Sequence, residues 1–331
     1  MFIKNYYLTF ILSLTMGTTI AVSSNSWLTS WAGLEINLMS MIPLMLSSVN
    51  KNYTEAAVKY FLAQALASVF MIFSISFSFF FLENILLEMN EAILISSLAL
   101  KGGLAPFHFW FPQVAPLLNW TQCLIIFTWQ KIAPLLLMVS MNMKMIFFIS
   151  ISSALAGAFG GLNQNLLKLL MAFSSISHGG WMLVSCALSA YSFILYFLIY
   201  SFLSLVLLTF FSKNQIMVLK QIFSSPDSNL NKNILILNLL SLGGLPPLLG
   251  FLAKLTILIT AIKFNMFFIL TPLIFSSLVS LFFYTRVIYS NLMNRSLKIL
   301  SFFNSNNSPK NFLFSLSIFI NTIFPTLIFL T

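Results

Sequence analysis

The stretch "SSLALKGGLAPFHFWFPQ", residues 96–113, decides how this chain folds. A lysine, Lys101, stands inside sequence apolar enough for lipid or a core, and Gly102, Gly103 and Pro106 follow at once. Glycine pairs and prolines interrupt a helix and free backbone carbonyls and amides. In a membrane such groups are tolerated only against protein or a water-filled cavity. A cation beside a helix break therefore asks for a bilayer around the chain and a polar interior within it.

The composition supplies the bilayer. Hydrophobic residues make up 59% of the 331 and charged residues only 7%, whereas a soluble domain carries roughly a quarter charged residues. The chain reads as an all-α polytopic membrane bundle, because a helix satisfies its own backbone in lipid. Spans of ~20 residues allow about ten or eleven in this length, which leaves no room for a soluble domain. Residues 1–331 are expected to form a single membrane domain.

Apolar runs between polar or Pro/Gly punctuation place eleven spans: 4–23, 26–48, 54–82, 92–111, 119–141, 145–161, 165–186, 189–212, 232–260, 265–289 and 312–330. The first run shows neither a cleavage site nor an Arg/Ser-rich presequence and is read as a retained helix. Glu83, Glu88 and Glu91 are expected in a wet loop, and Asn52 and Thr54 as caps of a helix on which Glu55 and Lys59 form an i,i+4 pair. Counting sides alternately, the N-terminal side receives Lys4, Lys51, Lys168, Lys213, Lys220, Lys232, Arg295, Lys298 and Lys310. Lys144, Lys263 and the three glutamates fall on the other. By the positive-inside rule the N-terminus lies in cytoplasm or mitochondrial matrix, and the formal +10 is mostly a topology signal. The basic residues form no solvated tract with interleaved aromatics, so nucleic acid is not a partner.

A second stretch, "LSLGGLPPLLGFLAKL" (240–255), repeats the opening device: Leu-x-Leu, Gly-Gly-Leu, proline and one lysine within an apolar span. The two stretches are the fourth and ninth spans. An offset of five makes them cross in opposite directions, an inverted repeat with two broken helices, as in ion-coupled transporters. The half-repeat cores are residues 26–141 and 165–289.

Five ionisable groups lie inside spans: Glu35, Lys101, Lys131, His178 and Lys254. A charge at mid-bilayer costs roughly 2.5–3.5 kcal/mol on insertion scales, so each needs a partner or water. Glu35 is the acid within a span and Lys101 its natural partner; burial favours the neutral forms and proximity the charged ones, so a change of spacing can move a proton. A static ion pair pinning two helices is the alternative. Lys131, before Pro134, has no acid in its span and suits a neutral, water-linked carrier, or else a bundle-facing structural lysine. Lys254 is read as a relay or as a lysine snorkelling to an interface. His178, among Ser174, Ser175 and Ser177, suits a relay between lysines or a core histidine bonded to serine. His108, near a span end, is read as structural, and Lys168 as marking a helix entrance. Cys123 and Cys186 form no C-x-x-C, the histidines lack acidic neighbours, and no phosphate loop appears, so no disulfide, metal or nucleotide site is signalled.

The segments "SNSWLTSWAGLEINLMSMIPLM", "TEAAVKYFLAQALAS", "LALKGGLAPFHFWFPQV", "TWQKIAPLLLM", "LNQNLLKLLMAFSSISHGGWM" and "NLLSLGGLPPLLGFLAK", in that order over residues 24–255, resemble the chain 2, antiporter-like subunit family of mitochondrial NADH:ubiquinone oxidoreductase (respiratory complex I) in its invertebrate form. The family's full form has fourteen helices and the animal form lacks the first three, which fits eleven spans. The resemblance implies a core membrane subunit of an H+-translocating NADH:ubiquinone reductase. Protons would move from matrix to intermembrane space through Glu35, Lys101, Lys131, His178 and Lys254, driven by quinone reduction elsewhere. It implies no cofactor in this chain, since NADH, FMN, iron–sulfur clusters and ubiquinone belong to other subunits. The implied partners are other complex I membrane subunits, including adjacent antiporter-like ones, and membrane lipids. The implied location is the mitochondrial inner membrane, multi-pass, with the N-terminus in the matrix. A stand-alone cation/proton antiporter and a non-pumping structural subunit of the same complex are the rival readings.

Overall fold

Long apolar runs without internal turn signals become helices, and the computed structural model describes residues 2–47, 50–80, 84–219, 221–224, 229–296 and 315–321. They form two compact units, Met1–Ser153 and Ala154–Thr331. Among the described residues seven helices are long and apolar enough to cross a membrane. The chain is an all-helical, multi-pass membrane protein.

In the first unit α1 (Phe2–Ser23) packs along α2 (Trp27–Met45), where a Cβ on Gly33 would lie 2.6 Å from the Ala21 amide nitrogen. Ser26 caps α2 by accepting from the Thr29 amide at 3.3 Å. The third helix, α3 (Lys51–Phe80), begins earlier than expected. Asn50 accepts the amides of Tyr53 and Thr54 through its backbone carbonyl, so Asn52 and Thr54 lie in the first turn and do not cap it. The Glu55–Lys59 pair forms at 2.6 Å on the exposed face.

The fourth helix, α4, spans Asn84–Gly102, so Glu88 and Glu91 are exposed residues of its early turns and no loop holds them. An acid costs a helix little on its exposed face, which the turn-seeking reading overlooked. Glu83 lies outside the described residues. Gly103, at φ +65°, ends α4 in a Schellman motif: its amide bonds the Leu100 carbonyl at 3.2 Å and the Leu104 amide bonds the Ala99 carbonyl at 2.9 Å. Only glycine adopts this backbone cheaply, and a Cβ there would also meet the Phe111 ring at 2.6 Å. After the break come α5 (Trp110–Val114), a 3₁₀ turn (Ala115–Leu117), α6 (Trp120–Phe127) and α7 (Trp129–Met138). The expected span 119–141 is therefore interrupted at Thr128, where φ −114° and ψ −71° depart from regular helical values. Gln122 holds the entry of α6, accepting from the Asn119 amide and donating to the Leu44 carbonyl at 2.8 Å, one of the orphan carbonyls ending α2.

The unit boundary falls within α8 (Met143–Gly161). In the second unit α9 (Leu167–Leu188) is the core helix: 89% of its apolar window is buried, against 22% for α1. Lys168 stands at its second residue, the expected entrance, but is buried. An antiparallel bridge, Leu166 to Val218, ties that entrance to the exit of α10 (Ala190–Asn214). There follow α11 (Gln221–Ser224), α12 (Asn229–Gly243), α13 (Leu249–Lys263) and α14 (Phe267–Ser296). Lys232, counted with the loop cations, is buried in the early turns of α12. Residues 315–321 are helical, and the rest of the expected last span lies outside the described residues.

The gap between α12 and α13 is built like the first break. Gly244 has φ +87°, its amide bonds the Ser241 carbonyl at 3.0 Å, and the Leu245 amide bonds the Leu240 carbonyl at 3.3 Å. The repeated Gly-Gly-Leu is thus one helix-ending motif used twice.

Candidate functional site

Each helix break leaves carbonyls at the negative end of a helix dipole, and each puts a lysine there. In the first unit Lys101 occupies the last turn of α4. The carbonyl of Leu100 accepts from the Trp110 indole at 2.9 Å and that of Lys101 from Gln64 at 3.3 Å. The break is fastened by side chains, and the amine of Lys101 is spared this work. That amine is buried and has no hydrogen-bond partner among the described residues.

Lys101 lines a cavity of ≈ 10 Å³ open to the centre of a water molecule, together with Asn37, Tyr60, Gln64, Gln130 and Pro134. About 10–15 Å³ on this measure is the least that holds one water, so the space fits a single molecule. Gln130 of α7 donates to Asn37 of α2 at 3.0 Å.

Glu35 of α2 is half-buried, and its Oε2 has no hydrogen-bond partner among the described residues. Glu35 and Lys101 do not touch: among the described residues the ion pair within 4.0 Å is Lys59–Glu55. The ion pair expected from the sequence is not formed within 4.0 Å. Lys131 of α7 is fully buried, with its amine 5.3 Å from the centre of the Phe111 ring, a cation–π distance. His108 lies between α4 and α5 and stacks on Phe109, with centroids 4.8 Å apart.

In the second unit the lysine performs the fastening itself. Lys254 of α13 folds back over Gly244, and its amine donates to the Gly243 carbonyl at 2.9 Å. It is 5% exposed and lies 5.9 Å from the centre of the Trp181 ring, so it does not reach out to an interface. His178 of α9 pairs through Nδ1 with the Tyr196 hydroxyl at 2.7 Å, a partner that neither the relay nor the serine-bonded reading had named. Ser174, Ser175 and Ser177 donate to carbonyls of their own helix. The Tyr200 ring lies 5.1 Å from the His178 ring. Tyr196, Tyr200 and Tyr284 are buried, the first two beside this histidine.

These tyrosines, and the carboxamides of Asn37, Gln64 and Gln130, escaped the sequence reading. Tyr196 and Tyr200 stand four apart on α10, a spacing that puts them on one face, but the Phe and Leu around them hide it. Neutral amides inside apolar runs carry no charge to attract notice. Cys123 and Cys186 are buried and not joined in a disulfide, and among the described residues no group of three or more His, Cys, Asp or Glu could hold a metal ion.

Residues 24–280 match the family described as NADH:quinone oxidoreductase/Mrp antiporter, TM. NADH-ubiquinone oxidoreductase chain 2 of Anopheles gambiae is 46% identical over 291 residues, 86% of this chain and 85% of that one. The chain belongs to the NADH-ubiquinone oxidoreductase chain 2 family. The Aedes aegypti member is 41% identical over 309 residues, 90% of each chain. A chain of the solved structure "Respiratory complex I from Thermus thermophilus with bound Aureothin" superposes with TM-score 0.80 at 22% identity, covering 95% of this chain and 77% of its own. The family's antiporter-like fold is therefore also the fold of this chain.

Proposed function

We propose that this chain moves protons through Glu35, Lys101 and Lys131 in its first unit and through His178 and Lys254 in its second. As a family member it is a membrane subunit of respiratory complex I, with an antiporter-like, proton-translocating module. The observation that carries the residue-level reading is the paired break: one buried lysine lies at each Schellman-terminated helix end, Lys101 in the last turn of α4 and Lys254 reaching back from α13 to the end of α12. A helix end holds a cation without committing it to an acid, so the amine can give up and regain a proton at small cost. Eleven spans in two inverted half-repeats, 26–141 and 165–289, complete the reading. It includes the mitochondrial inner membrane, an N-terminus in the matrix and neighbouring complex I membrane subunits as partners. The chain would carry no redox group, and quinone reduction in other subunits would drive the charge shift that Glu35 and Lys101 sense.

A static reading has support in the second unit, where Lys254 spends a donor on Gly243 and resembles a structural pin. The experiment is the proton-to-electron ratio of assembled complex carrying Lys101→Met, Glu35→Gln or Lys131→Ala. A ratio that falls while NADH oxidation and assembly persist is the expected result; an unchanged ratio in all three returns the lysines to a structural role.

A further inference from the structure

We propose that the hydrogen bond between Gln130 and Asn37 is a latch that closes the Lys101 cavity and keeps the first unit proton-tight. The proposal rests on the route just described and adds the element that interrupts it.

Three observations meet at this bond. Asn37 and Gln130 are 3% and 9% exposed and join α2 to α7 across 93 residues of sequence, at 3.0 Å. Both line the water-sized cavity that Lys101 also lines, and Lys101 has a buried amine without a hydrogen-bond partner among the described residues. Gln130 also sits on the first turn of α7. Thr128 interrupts the regular helix two residues before it, and Pro134, inside α7, has no N–H to offer the Gln130 carbonyl. The turn bearing Gln130 and Lys131 thus starts on an irregular bond, from the Lys131 amide to the Thr128 carbonyl at 3.2 Å, lacks one at Pro134, and is tied to α2 by the bond to Asn37.

The chemistry of the amide makes this bond a barrier. A water or an amine can accept a proton and pass one on, while a carboxamide has separate donors and acceptor and does not exchange them. With the latch closed, Lys101 meets room for one water and a wall of amides. Swinging Gln130 away would lengthen that space into a file of waters, and because Lys131 is the next residue, the same motion would move its amine. On α2, Glu35 stands between Leu34 and Asn37, which both line the cavity. A charge change at Glu35 therefore acts on the turn that carries the other half of the latch.

The test uses NADH-ubiquinone oxidoreductase with Gln130→Leu or Asn37→Leu, reconstituted in phospholipid vesicles, with passive proton leak measured while electron transfer is blocked. Each variant is expected to leak more, roughly fivefold, the change in open population that follows from losing one buried hydrogen bond. The exchange Asn37→Gln with Gln130→Asn rebuilds the pair and is expected to restore tightness. A leak unchanged in both single variants overturns the latch, and so does a leak that the exchanged pair fails to reduce. Full pumping in Lys101→Met would defeat the route itself, whereas a normal leak in the leucine variants defeats only the latch.

Discussion

At the scale of single residues, the two buried lysines of the breaks solve one problem in different ways. Lys101 leaves the orphan carbonyls to Trp110 and Gln64 and keeps its amine uncommitted, while Lys254 satisfies the Gly243 carbonyl directly. His178 is held by Tyr196, whose hydroxyl orients the ring through Nδ1. Tyr196→Phe removes that bond and should destabilise the site by about 1 kcal/mol. It should also lower the proton-to-electron ratio, with His178→Ala lowering it further. Measuring both variants in assembled complex checks the order, and an unaltered ratio in Tyr196→Phe would leave the tyrosine with packing alone. Lys101 and His178 were legible from sequence because an ionisable group stands out in an apolar span. Their partners were not, since which amide or phenol faces them depends on how separate helices are turned.

At the scale of elements, the Gly-Gly-Leu signature was visible twice in the sequence, and its physical meaning is a helix end. Gly103 and Gly244 take positive φ, and the leucine after each donates its amide across the last turn. Gly103→Ala should cost about 1–2 kcal/mol for the left-handed backbone alone, before the contact with Phe111 is counted. Gly250 is a sharper case, because a Cβ there would lie 1.7 Å from the Ser241 carbonyl oxygen, where α12 and α13 meet backbone to backbone. Gly250→Ala should sharply reduce the amount of assembled complex, read on native gels, with Gly102→Ala as the comparison, since its nearest neighbours lie at 3.5 Å. The break at Thr128 went unseen in sequence. No glycine or proline marks that position, and Thr128 there bonds the Leu124 carbonyl through both its amide and its hydroxyl.

At the scale of the molecule, the alternation of spans predicts on which side each loop faces. Lys51 and Lys144 are both exposed in the first unit and are assigned to opposite sides of the membrane. Lys51→Cys should react with an impermeant maleimide from the matrix side, and Lys144→Cys from the other. The native cysteines, both buried, give little background. Labelling of both from one side would remove a span from the count.

The sequence by itself determined that this chain is a helical membrane protein, where its Gly-Gly-Leu breaks fall and which charges stand within its spans. Those properties are local, since hydropathy, glycine and proline act within a few residues of themselves. Only the tertiary structure decided that Glu35 and Lys101 stand apart, that Tyr196 holds His178 and that Gln130 closes on Asn37. Each of these depends on how two helices are rotated against one another, and that rotation is set by the packing of many side chains at once.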